Sequence, residues 1–130
     1  MVDMKLWLAL AFLVPASANA ETMMVCTGNG EANGFPIQHQ SIARTFTLKI
    51  RGSEVDVMVS KSDASESFCP QGAKCRTLIS KSSIEVNASN IPNFDPSYFQ
   101  SVVLDLGQHT FRAGGGGLDG GWSVTGDCTG

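Results

Sequence analysis

The sequence predicts an all-β domain made of short antiparallel strands. Apolar and polar residues alternate along several short segments, and turn-forming residues separate these segments. No segment has the apolar periodicity of an amphipathic helix, although the stretch 93–97 has room for a single helical turn. These observations favour a sheet whose strands follow one another through hairpins.

The clearest hairpin lies in the first half of the chain. Apolar residues occupy every second position in the segments 45–50 and 54–60, and Arg51-Gly52 between them supplies a tight turn. Because side chains alternate between the two faces of a strand, one face of this hairpin is expected to be buried.

Six further strands complete a set of eight. The predicted segments are Thr22–Thr27, Cys75–Ser80, Ser83–Ala88, Tyr98–Leu106, His109–Ala113 and Trp122–Cys128. Between the fourth and fifth of these segments, Gly107-Gln108 is expected to form a two-residue turn that begins with glycine. The side chains expected in the core are Phe46, Leu48, Val57, Ile84, Val86, Leu104 and Phe111.

Three polar segments are predicted as loops. They are Gly28–Ser41, Lys61–Gly72 and Gly114–Gly121, of which the last contains six glycines. This glycine-rich segment lacks the Gly-x-x-x-x-Gly-Lys-[Ser/Thr] pattern of a phosphate-binding loop, so it is interpreted as a flexible hairpin loop. Loops on a rigid β-scaffold often carry recognition, which makes it the candidate binding loop. The residues assigned to that candidate site are Arg112, Gly114, Gly116, Leu118, Asp119 and Trp122.

The four cysteines predict two disulfide bonds. The short segment between Cys69 and Cys75 contains turn-forming residues, and Cys26 and Cys128 lie near opposite ends of the predicted domain. We therefore expect the pairs Cys69–Cys75 and Cys26–Cys128. A four-cysteine zinc site is the rival interpretation, but close Cys-x-x-Cys pairs are missing.

The pairing of Cys26 with Cys128 bears on the architecture. If both side chains point inward, the first and last strands are neighbours and an up-and-down sheet curls round on itself. The predicted fold is therefore a small antiparallel eight-stranded barrel, up-and-down and calycin-like. A two-sheet β-sandwich with Greek-key order is the alternative.

The N-terminal segment has the pattern of a secretory signal peptide. One cation, Lys5, precedes the apolar run Leu6–Val14, and small residues ending in Ala18-Asn19-Ala20 follow. The apolar run is shorter than the about 20 residues that a transmembrane helix needs. We expect residues 1–20 to be removed, leaving residues 21–130 as one domain in the periplasm or secreted, with no membrane insertion after cleavage.

Composition and spacing argue against several functions. The formal net charge of −3 disfavours nucleic acid as a partner. No Gly-x-Ser-x-Gly motif is present, and the two histidines, His39 and His109, are too far apart to form a metal-ligand pair. We therefore expect no catalytic residues, no metal and no cofactor.

One short stretch carries a resemblance to a known family. Residues 121–127, Gly-Trp-Ser-Val-Thr-Gly-Asp, are similar to the end of the periplasmic lysozyme inhibitors, which are exported small β-barrels. Those inhibitors carry a Ser-Gly-x-x-Tyr loop, and the corresponding region here is Gly114–Asp119. Neither an avidin nor a lipocalin motif is present, and the chain is assigned to no family.

These observations lead to one expected function and two alternatives. The chain is expected to be an exported, monomeric, non-catalytic binding or inhibitor-like module, acting on an unidentified protein or cell-envelope component. The first alternative is a carrier of a small apolar ligand inside the barrel, since eight strands can enclose one such ligand. The second alternative is a small exported enzyme.

Overall fold

The computed structural model describes residues 20–34, 39–61 and 64–130, which form nine antiparallel β-strands and no helix. The strands are β1 (Thr22–Gly34), β2 (Gln40–Arg51), β3 (Glu54–Lys61), β4 (Ala64–Ser67), β5 (Lys74–Ile79), β6 (Ser83–Ser89), β7 (Phe99–Asp105), β8 (Thr110–Gly117) and β9 (Gly120–Thr129). Within these residues nothing forms a helix capable of crossing a bilayer. The predicted signal peptide lies outside the described residues except for Ala20.

All nine strands belong to one curled sheet, which confirms the all-β antiparallel prediction. Their order is β4-β3-β2-β1-β9-β8-β7-β6-β5. Each strand therefore lies next to the strand that follows it in sequence, except that β4 and β5 are at opposite edges of the sheet. The first and last strands pair in the middle of the sheet, as predicted from the cysteines. The one strand beyond the predicted eight is β4, which lies in the segment predicted as a polar loop.

Both predicted disulfides are present. Cys26 and Cys128 are directly opposite each other in the β1–β9 ladder, with their Cα atoms 4.0 Å apart. Cys69 and Cys75 are bridged across the connection between β4 and β5, with Cα atoms 6.2 Å apart. Two disulfides indicate that the domain folds in an oxidising compartment.

The sheet is a half-barrel, and the connection between its two edge strands packs into the core. The edge strands β4 and β5 stand at opposite ends of the strand order. Phe68, in the connection between them, is 1% exposed, and its N–H donates to the carbonyl of Val57 at 2.9 Å. The connection between the two edge strands thus contributes a buried ring to the core.

The core lies on the concave face and contains every predicted inward residue. Its buried members include Phe46, Leu48, Val57, Ile84, Val86, Leu104 and Phe111. The Phe46 ring meets the rings of Phe68 and Phe111 edge-on, at centroid distances of 6.1 and 5.4 Å. Burying one such side chain stabilises the fold by about 1.5–3 kcal/mol, so this cluster is a main source of stability.

Two of the predicted loops are largely strand. The glycine-rich segment is not a flexible loop: β8 continues to Gly117, β9 begins at Gly120, and only Leu118-Asp119 forms the turn. In the segment 28–41, β1 runs to Gly34 and β2 begins at Gln40, while residues 35–38 are outside the described part. Backbone pairing needs no apolar side chains, and near the rim of the sheet the apolar alternation that marks a strand is missing.

The predicted Gly107-Gln108 turn is also wrong. Asp105 pairs with Thr110, so four residues form the connection, and the positive φ of 57° falls on His109 instead of Gly107. The Asp105 carboxylate accepts hydrogen bonds from the N–H groups of Gly107 and Gln108 at 2.9 and 3.0 Å. The turn is therefore stabilised by hydrogen bonds to the Asp105 side chain and not by a glycine with positive φ.

Candidate binding cleft

A cleft of about 640 Å³ opens at one end of the half-barrel. The walls are the β8–β9 hairpin, the connection 91–98 between β6 and β7, and the inner face of β1 to β4. Gln100 of β7 and the residues Phe68 and Pro70 after β4 complete the lining. Its volume lies within the roughly 300–1,000 Å³ that is usual for small-molecule sites. We call this feature the barrel-end cleft.

A chain of hydrogen bonds runs along the floor of the barrel-end cleft. The indole N–H of Trp122 donates to the hydroxyl oxygen of Tyr98 at 2.8 Å, and that hydroxyl donates to Oε1 of Gln100 at 3.0 Å. The Gln100 amide donates in turn to the carbonyl of Phe68 at 2.8 Å. Each polar atom in this chain has a partner, which fixes the rotamers of three side chains from three parts of the fold.

The environment of Tyr98 keeps its hydroxyl protonated. Burial raises the pKa of Tyr98 above its usual 10.0, and the nearby Glu66 carboxylate raises the pKa further. The Trp122 N–H acts in the opposite direction, because it stabilises the phenolate, but its effect is smaller than that of burial. Tyr98 therefore stays a donor to Gln100 over the whole physiological pH range.

Titration of the only tyrosine in the chain tests this network. The absorbance change of tyrosinate should have its midpoint above pH 10.0. Stability contributed by Tyr98 is fully present below that value and is lost as pH rises through the raised pKa. In Trp122→Phe the midpoint should move higher still, because the donor to the phenolate is gone. A wild-type midpoint at or below 10.0 contradicts the burial of Tyr98, and a Trp122→Phe midpoint no higher than that of the wild type contradicts the network.

Asp95 attaches the 91–98 connection to the tip of the β8–β9 hairpin. Its Oδ1 accepts hydrogen bonds from the backbone N–H of Ser97, at 2.9 Å, and from the Ser97 hydroxyl. Its Oδ2 accepts from the N–H of Leu118 at 3.2 Å. The hydrogen bond from the Ser97 side chain is the main reason that the pKa of Asp95 is lowered, and the Leu118 N–H contributes in the same direction.

Asp95→Asn should free the hairpin tip, because an amide has one acceptor oxygen where the carboxylate uses two. We expect faster hydrogen exchange at the Leu118 amide, measured by NMR, with the adjacent Asp119→Asn as the unchanged control. In the wild type the attachment is fully present above the usual pKa of 3.8 and is lost as pH falls through the lowered value. Equal exchange in both variants would show that Asp95 does not hold the tip.

The structure separates the predicted binding-loop residues into two groups. Trp122 and Asp119 line the barrel-end cleft. Leu118 is 81% exposed at the turn, and Gly114 and Gly116 belong to β8. Arg112 is exposed on the outer face of β8, because it alternates with buried neighbours, and it does not line the cleft.

Several cleft residues were not identified from the sequence. Tyr98, Gln100 and Asp95 come from a segment with no recognisable motif, and Arg44 lies on β2 between the predicted loop Gly28–Ser41 and the predicted strand that begins at Thr45. One available signal was that Tyr98 is the only tyrosine in the chain and begins a long predicted strand.

The charged side chains of the cleft differ in the ion pairs and hydrogen bonds that they form. Lys61 and Glu66 form an ion pair at 2.8 Å, and Asp95 is bound to backbone N–H groups. Arg44 donates to the carbonyl of Ala43 at 2.9 Å and forms no ion pair within the described residues. In the same part of the chain, no three His, Cys, Asp or Glu side chains are grouped to hold a metal ion.

Comparison with known protein families, curated proteins and solved structures finds no match to this chain.

Proposed function

We propose that the chain is an exported, non-catalytic binding module that acts in the periplasm or outside the cell. Its target is a protein or a cell-envelope component, and the barrel-end cleft is the site of contact. One observation carries the proposal: a cleft of about 640 Å³ whose floor is held rigid by the chain of hydrogen bonds from Trp122 to Phe68. A rigid site loses little conformational entropy when it binds.

The chemistry of the cleft supports binding over turnover. Tyr98 is a protonated donor whose proton is already bonded to Gln100. Asp95 holds the 91–98 connection to the tip of the β8–β9 hairpin. Lys61 and Glu66 are paired with each other. A general acid or base needs a proton-transfer group aimed at substrate, and these groups are aimed at the protein itself.

The carrier alternative places an apolar ligand deeper, inside the half-barrel. There the predicted inward side chains are buried against one another, and Phe46 contacts aromatic rings on two sides. The cleft above them is walled by both polar and apolar groups. For these reasons we prefer contact at the mouth of the barrel to uptake into its interior.

The same substitution, alanine to phenylalanine, at one position on β1 and one on β2 tests the site. Ala32 lines the cleft, whereas Ala43 is exposed on the outer face of the adjacent strand. Fractions of the host cell envelope should shift the Trp122 indole signal in NMR spectra of the wild type and of Ala43→Phe, but not of Ala32→Phe. Equal shifts in both variants, or turnover of esters, peptides or glycosides by the purified protein, would reject the proposal.

A further inference from the structure

The guanidinium of Arg44 is the cation of the barrel-end cleft that has no acidic partner. On β2, Phe46 and Leu48 are fully buried, so alternation puts Arg44 on the same concave face. It lines the cleft and forms no ion pair among the described residues. A guanidinium presents a fork of donors that matches the two oxygens of a carboxylate.

The negative charges of the cleft leave this position open to an anion. Lys61 neutralises Glu66, and backbone and hydroxyl donors from Ser97 and Leu118 surround Asp95. Asp119 lies at the tip of the β8–β9 hairpin, whereas Arg44 is next to Phe46 on the inner face of β2. Arg44 is therefore the cleft cation that is free to meet a ligand.

Aromatic side chains, among them Trp122 and Phe94, line the same cleft as Arg44. The Trp122 ring is stacked with Phe46 at 6.4 Å, and its N–H is already bound to Tyr98. Phe94 is 53% exposed and stacks on Tyr98 at 4.5 Å. A ligand that meets these surfaces needs a flat apolar face, together with a carboxylate for the arginine.

The backbone of the cleft offers little to a peptide. Extended peptides bind by adding a strand to an exposed sheet edge. Of the strands that line the cleft, β1, β2, β3, β7, β8 and β9 have partners on both sides, and the edge strand β4 has only four residues. Recognition in this cleft therefore depends on side chains.

We infer that the barrel-end cleft binds an acidic saccharide, with a uronic-acid carboxylate on Arg44 and sugar rings against Phe94 and Trp122. A uronic acid combines the apolar face of a pyranose ring with a carboxylate on that ring, and the cleft volume accommodates a short oligosaccharide. This inference rests on the proposed function, since it names the ligand class of that same site.

Trigalacturonic acid and its methyl ester make a matched pair of probes, because they share the rings and differ in the carboxylate charge. Trp122 is the only tryptophan in residues 21–130, so its fluorescence reports occupancy of the cleft in the mature chain. We expect the acid to bind about tenfold or more tightly than the ester, the usual worth of a charge-assisted hydrogen bond. Arg44→Gln should remove this preference, and Arg76→Gln, an exposed arginine on β5, should keep it.

Circular dichroism checks that the variants fold, and Arg44→Lys, which keeps the charge without the fork, should show a smaller preference. Equal binding of acid and ester, or an unchanged Arg44→Gln, overturns the carboxylate inference but leaves the proposed function standing. Binding of a glutamate-rich peptide without binding of trigalacturonic acid overturns the saccharide class in favour of a protein target. If none of these probes and no envelope fraction binds, both the saccharide inference and the proposed function are rejected.

Discussion

Replacing both Cys26 and Cys128 by alanine is expected to destabilise the domain by about 4–5 kcal/mol. The bridge closes a loop with a sequence separation of 102, and in the chain-entropy model long loops contribute the most. Domains of this size are stable by only about 5–15 kcal/mol. Guanidinium unfolding should therefore show a variant close to the limit of folding.

The short bridge is the matched control for this experiment. Cys69 and Cys75 are separated by six positions, so the same model predicts a loss of only about 2 kcal/mol for the double alanine variant. The two cysteines of the long bridge are also buried, at 0% and 5% exposure, which adds lost packing to the lost constraint. Equal losses for the two bridges would show that loop length does not govern their contributions.

Gly115→Ala is expected to cost about 1–3 kcal/mol and to break the hydrogen bond between Trp122 and Tyr98. A Cβ at this position would lie 2.7 Å from the indole nitrogen and 2.8 Å from the Tyr98 hydroxyl. It would also lie 2.8 Å from the carbonyl of Phe99, which as backbone yields little. The indole N–H resonance of Trp122 and the free energy of unfolding should both change.

Gly116→Ala, one residue along β8, is the control for steric space. The nearest atom to its added Cβ is the Gly120 carbonyl oxygen at 3.5 Å, an ordinary contact. We expect Gly116→Ala to keep the indole resonance and nearly all of the stability. If both variants behaved alike, the glycines of β8 would matter for backbone propensity and not for access to the Trp122–Tyr98 pair.

The core could be predicted well from the sequence because buried positions on a strand recur at every second residue. Every second residue along β3 and β6 is apolar, and this pattern identifies the inward face. The disulfide pairing and the meeting of β1 with β9 were predicted as well, since an even cysteine count allows few arrangements. These features depend on local pattern or on covalent constraint.

The barrel-end cleft could be predicted only in part. Trp122 was found because a tryptophan beside a glycine run is conspicuous, but its partner Tyr98 lies 24 positions away and meets it only through the order of the strands. Arg112 was included as the nearest cation in sequence, although strand alternation turns it outward. Side chains at the rim are not selected for burial, so no apolar period identifies them.

The adjacency of β1 and β9 has a kinetic consequence. The middle ladder of the sheet joins residues 25–34 to residues 120–129, whereas every other strand pair joins neighbours in sequence. Before Gly120–Thr129 is available, β1 has one partner, β8 lacks one, and Cys26 has no thiol with which to form its bridge. Pairing across so long a separation is slow. The two meanders, β1 to β4 and β5 to β9, are therefore expected to form early, and their union through the β1–β9 ladder should be the late, rate-limiting event in folding.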